Sequence, residues 1–108
     1  MKLDIKQLMF IDPKLRLIAI RVEKKMGCEF TATSLYRIGD KGVHGTLPLR
    51  GLDLRCRYGF LGILIQDYIN KNWQYDPKRP DMKCCLFHDT GRGLHLHIQT
   101  HPNTKRLN

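Results

Sequence analysis

Leu94-His95-Leu96-His97-Ile98-Gln99-Thr100 alternates apolar and polar residues. Strict alternation marks a β-strand with one face in a core and the other outside it. Leu94, Leu96 and Ile98 share one face, and His95, His97 and Gln99 share the other, because residues two apart point the same way. Such a strand needs a neighbour. Lys83 to Phe87 is a second β-rich run, and Asp89 to Gly93, with two glycines, reads as a hairpin-like turn between them.

Further upstream, Leu52 to Arg57 alternates in the same manner, with Leu52, Leu54 and Cys56 on one face and Asp53, Arg55 and Arg57 on the other. Tyr58 to Trp73 has apolar residues at 60, 61, 64, 65, 68 and 69, the stripe of an amphipathic helix. Asp12-Pro13 reads as an N-cap followed by proline at the first helical position. Leu15, Ile18, Ala19, Val22 and Met26 then recur at helical spacing, and Gly27 is a plausible stop. Residues 28–37 are rich in β-formers, and 38–49, with three glycines and a proline, read as a long loop. Leu3 to Phe10 reads equally as strand or helix, Gln74 to Asp81 as a connector, and Pro102 to Asn108 as a polar, frayed end. This order predicts one α+β domain over 1–108: a small antiparallel sheet with helices packed on one face.

Composition narrows the functional classes. The 108 residues are 42% hydrophobic and 27% charged, an ordinary globular balance. Nineteen basic residues against ten acidic give a net charge of +9, which favours polyanionic partners such as nucleic acid, anionic lipid or cell-wall polymers. The charges are dispersed, with little aromatic content near them and no nucleic-acid motif, so no stable nucleic-acid partner is expected. Met1-Lys2-Leu3-Asp4-Ile5-Lys6 does not read as a signal peptide, and the longest apolar run, Phe60 to Ile65, is too short to cross a bilayer. The expectation is a cytoplasmic monomer with no membrane association. Cys28, Cys56, Cys84 and Cys85 form no CxxC pair. Vicinal Cys84 and Cys85 read as buried free thiols, while a disulfide involving Cys28 or Cys56 stays open.

The histidines carry the chemistry. His95 and His97 stand on one strand face, and His44 and Asp53 come from the glycine-rich loop and the strand after it. Zinc accepts imidazole and carboxylate together, and a catalytic site uses three protein ligands with one position left for water. A further imidazole nearby can carry a proton. Each residue also has a plainer reading. His44 alone is a surface histidine, Asp53 a strand-end cap or ion-pair partner, and His95 and His97 an exposed strand face. His101 is a bystander continuing that face, His88-Asp89 is turn chemistry with lining of the cleft as the other role of His88, and Trp73 and Tyr75 are core and rim packing, with stacking on a sugar or peptide ring as the other role. The zinc reading rests on the ordered set.

Thr33-Ser34-Leu35-Tyr36-Arg37, then His44, then Arg50-Gly51-Leu52-Asp53-Leu54, then His95-Leu96-His97 resembles the peptidase M15 group. These are D-Ala-D-Ala carboxypeptidases and murein endopeptidases with the hedgehog/DD-peptidase zinc fold. The small size also resembles bacteriophage-encoded members. The resemblance implies Zn2+ held by His44, Asp53 and His97, with His95 as the acid/base group. It further implies Arg37 on a substrate carboxylate, Ser34 supporting that strand, and Gln99 as a donor behind His97. Two departures stand out: His44 and Asp53 are nine apart where the family places seven, and Leu94 occupies a position where many members carry Glu.

The function implied is hydrolysis of an amide in the peptidoglycan stem peptide, D-Ala-D-Ala or L-Ala-D-Glu, as in phage lysis enzymes. The alternatives are a zinc-containing wall-binding or virion module without turnover and, third, a basic nucleic-acid-binding protein.

Overall fold

The computed structural model describes residues 11–27, 32–34, 50–89 and 93–107. Helix α1 spans Pro13–Met26 and β1 spans Ala32–Ser34; β2 is Gly51–Arg55 and α2 is Gly59–Asn72. They are followed by β3 (Trp73–Gln74), β4 (Cys85–Asp89), β5 (Leu94–Gln99) and β6 (Lys105–Arg106). The expected loop over 38–49, the segment before Phe10 and Cys28 lie outside the described residues.

Helix α1 forms as its termini dictate. The Asp12 carboxylate accepts from the Leu15 amide at 3.2 Å, Pro13 fills the first turn, and Gly27 closes the helix in the left-handed region at φ 64°. The Asp12 carboxylate also accepts the Thr100 hydroxyl at 3.0 Å, which ties the helix start to the end of β5.

The main sheet is antiparallel, in the order β1-β2-β5-β4. Leu52 and Leu54 of β2, Leu96 and Ile98 of β5 and Cys85 of β4 are buried on one face. They join Leu15, Ile18, Ala19 and Val22 of α1 and Ile65 and Ile69 of α2 in one core. The expected α+β architecture with helices on one sheet face is therefore found. Each such fully buried aliphatic side chain contributes roughly 1.5–3 kcal/mol.

The seating of α2 differs from expectation. Phe60 and Leu64, counted on the apolar stripe, are exposed, whereas Gly62, Ile65 and Ile69 face inward. Gly62 is the reason: the Phe87 ring lies where a side chain at 62 would project, so the helix meets the sheet through its smallest residue. From this position α2 also seals the sheet edge. Asn70 donates to the Cys85 carbonyl and accepts from the Cys85 amide, both at 2.9 Å, and Gln66 accepts from the Phe87 amide at 2.8 Å. An open strand edge invites pairing with another chain; here side-chain amides occupy it. Asn70→Ala leaves one backbone donor and one acceptor without partners, at about 1–3 kcal/mol for each group that stays dry. Its urea midpoint should fall accordingly, and a midpoint equal to the parent's would contradict this role.

The C-terminal stretch is not frayed. Lys105–Arg106 pair with Trp73–Gln74, Thr104 is buried and donates to the Tyr75 carbonyl at 2.7 Å, and Lys14 Nζ reaches the carbonyls of Pro102 (2.8 Å) and Thr104 (2.6 Å). These long-range bonds order a polar segment that has no apolar pattern of its own. Asp76 belongs to this region, and the Lys78 amide, donating to its carboxylate, holds that group below the usual range.

Cys56, Cys84 and Cys85 are free, buried thiols, as expected for the vicinal pair.

Candidate metal centre

The face of the sheet away from the helices carries the polar members of each alternating strand. Register arranges them in rows across β2, β5 and β4. Asp53, His97 and Leu86 form one row, and Arg55, His95 and His88 form the next. Backbone bonding sets how close each row's members come. Cys56 donates to the Leu94 carbonyl and Thr100 to the Arg50 carbonyl, so even-numbered β5 residues bond to β2, while Gln99 donates to the Cys84 carbonyl, so odd-numbered ones bond to β4. Asp53 and His97 are therefore a non-hydrogen-bonded pair, the kind whose side chains come closest.

They meet. His97 Nδ1 lies 2.7 Å from Asp53 Oδ1, with both side chains largely buried at 17% exposure. The other ring nitrogen, Nε2, lies 3.2 Å from Gln99 Oε1, and Gln99 Nε2 donates to the Lys83 carbonyl at 2.8 Å. Donor and acceptor identity runs in one direction along this chain. A carbonyl only accepts, so Lys83 fixes which end of the Gln99 amide is the donor. The amide oxygen then faces His97, so Nε2 must carry a proton. In neutral imidazole the lone pair is then on Nδ1, facing the Asp53 carboxylate, which also only accepts. Two acceptors at 2.7 Å require a positive charge between them, either a proton or a metal ion. Gln99 thus stands behind His97 as an acceptor rather than the expected donor.

This donor set fits zinc. Imidazole nitrogen and carboxylate oxygen are both suitable, and the far nitrogen is oriented by an amide, the usual outer arrangement for a ligating histidine. Two donors of a tetrahedral zinc stand about 3.3 Å apart, from bond lengths near 2.0–2.1 Å. Opening the present contact by roughly half an ångström accommodates the ion. Among the described residues no group of three or more His, Cys, Asp or Glu side chains converges; His44, the third expected ligand, lies outside them. Arg37 also lies outside. Register sets Ser34 opposite Asp53 across β1 and β2, beside a local irregularity of that pairing, and its side chain is outside the described set.

His95 follows His97 on the same face. Its Nδ1 lies 2.8 Å from the Gly93 carbonyl and donates to it, which leaves Nε2 as the nitrogen with a free lone pair. That tautomer suits a proton carrier. His101 does not continue the row, because β5 ends at Gln99. It sits instead against the Tyr75 ring at 5.6 Å and accepts the Asn103 amide at 3.1 Å.

One participant was missed from the sequence: Lys83 acts through its main-chain carbonyl and leaves no side-chain signal. His88, read as turn chemistry or as lining the cleft, lies opposite His95, the pairing that counting outward from the turn between Asp89 and Leu94 gives. No helix among the described residues is long and apolar enough to cross a membrane. Comparison with family models, curated proteins and solved structures finds no match for this chain.

Proposed function

We propose that this protein is a zinc-dependent peptidase of bacterial peptidoglycan, hydrolysing a stem-peptide amide on a hedgehog/DD-peptidase-like site. The observation that carries the reading is the Lys83–Gln99–His97–Asp53 chain, whose polarity leaves the 2.7 Å contact between Nδ1 and Oδ1 to be bridged by a proton or, in this reading, by a metal ion. The order of motifs and the α+β sheet with this pair on the face away from the helices support it.

Asp53 and His97, with His44, are the ligands in this reading. Zinc, when bound, supplies Lewis acidity to polarise the scissile carbonyl and to acidify water. Gln99 keeps the His97 ring oriented. His95 takes a proton at Nε2 and returns it to the leaving amine, while Gly93 holds its ring through Nδ1. Arg37 pairs with a substrate carboxylate, and Ser34 braces the strand beside Asp53. A net charge of +9 favours adsorption to anionic wall polymers.

The test is zinc retention and muropeptide cleavage by the parent and His95→Ala, each supplied with one equivalent of zinc. Both proteins should keep the metal. Turnover should drop about 10²–10⁴-fold in the variant, the usual size of general acid–base catalysis. A parent that retains no zinc, or a variant with undiminished turnover, refutes the assignment. Zinc retained by a parent that cleaves no muropeptide favours the wall-binding module.

A further inference from the structure

His88 and His95 face each other directly across β4 and β5 on the sheet face away from the helices. Neither belongs to the Asp53–His97 pair. Because odd-numbered β5 residues bond to β4, this is a hydrogen-bonded pair, with Cα atoms about 5.5 Å apart. Two imidazoles rising from such positions can converge on one ion above the sheet. His95 is already set for this: Gly93 accepts from Nδ1 at 2.8 Å, and the lone pair is on Nε2. That backbone carbonyl plays the part that outer partners play for ligating histidines generally. His88 is exposed, so its ring can turn toward the partner at little cost. Arg55 flanks His95 on the other side; it too is exposed, and its long stem lets the guanidinium stay in water away from an incoming cation.

We propose that His88 and His95 form a second site for a divalent transition-metal ion, zinc, copper or nickel, one row along the sheet from the Asp53–His97 pair. Imidazole nitrogen is a preferred donor for all three ions. With two protein ligands and the rest water, the site is weaker than a three-ligand centre. Its consequence for activity rests on the peptidase reading. An ion held there occupies the basic nitrogen of His95, so zinc beyond the first equivalent inhibits.

Zinc titration of the whole protein against a chromophoric chelator counts the sites without reference to turnover. The parent should take up a weaker equivalent that both His88→Ala and His95→Ala lack. Cleavage by the parent should rise with the first equivalent and fall with the second, while His88→Ala should rise and then level off. Retention of the weaker equivalent by either variant overturns the second site, as does excess zinc inhibiting His88→Ala as fully as the parent. The peptidase reading fails by a separate result: a tight equivalent absent from the parent, or unchanged in His97→Ala.

Discussion

His97→Ala should lose its tightly held zinc on dialysis, and its peptidoglycan cleavage should fall by at least about a thousandfold. The size follows from what the residue supplies. Metal polarisation of a carbonyl is worth several kcal/mol of transition-state stabilisation, and each 1.36 kcal/mol is tenfold in rate. His97 sits where three features of the site meet: the 2.7 Å contact to Asp53, the 3.2 Å contact to Gln99 and the face shared with His95. Gln99→Leu is the milder companion. It removes only the acceptor that orients Nε2 and should weaken zinc affinity by about 10–100-fold, the usual effect of losing an outer partner. Circular dichroism of both variants separates metal loss from unfolding. Zinc held by His97→Ala as tightly as by the parent would place the metal elsewhere and end the proposal.

Alkaline pH should destabilise this fold steeply through Cys85. Its side chain is fully buried in the core, and burial, helped by the nearby Cys84 and Cys56 thiols, pushes its pKa from 9.0 to about 12. Burial also raises Cys84 from 9.0 to about 11. The unfolded chain ionises these thiols near pH 9, while the folded chain keeps them protonated. Above pH 9 the unfolded state therefore binds fewer protons, and stability falls as pH rises. The contribution is intact below about pH 9 and is lost progressively as pH climbs through 11 and 12. Three pH units on Cys85 correspond to a loss on the order of 4 kcal/mol, at 1.36 kcal/mol per unit. Urea midpoints from pH 7 to pH 12 measure it. Cys85→Ala should show a visibly shallower alkaline decline than the parent, and parallel declines in the two proteins would show that the thiol is not responsible.

Local chemistry made most of the elements legible. Asp12-Pro13 and Gly27 bracket α1 because caps act within a turn of the residues that form them. Alternation placed Leu52, Leu54, Leu96 and Ile98 in the core because a strand has a period of two. The misreadings share one cause. Phe60 and Leu64 lie on the richest apolar stripe of α2, yet the helix turns Gly62 to the sheet because the Phe87 ring needs that space. The C-terminal stretch looked frayed because its order comes from Lys14, Tyr75 and β3, all distant in sequence.

The sequence by itself determined which residue types were available for a metal centre and which strand faces they occupy. Side-chain type and strand period are local properties, and both are written in Asp53, His95 and His97. Only the tertiary structure decided that Asp53 lies opposite His97, 44 positions away, and that the Lys83 carbonyl sets the polarity of Gln99. Strand order and register fix those neighbours. Register follows from how the whole apolar face packs against the two helices, and no single segment contains that information.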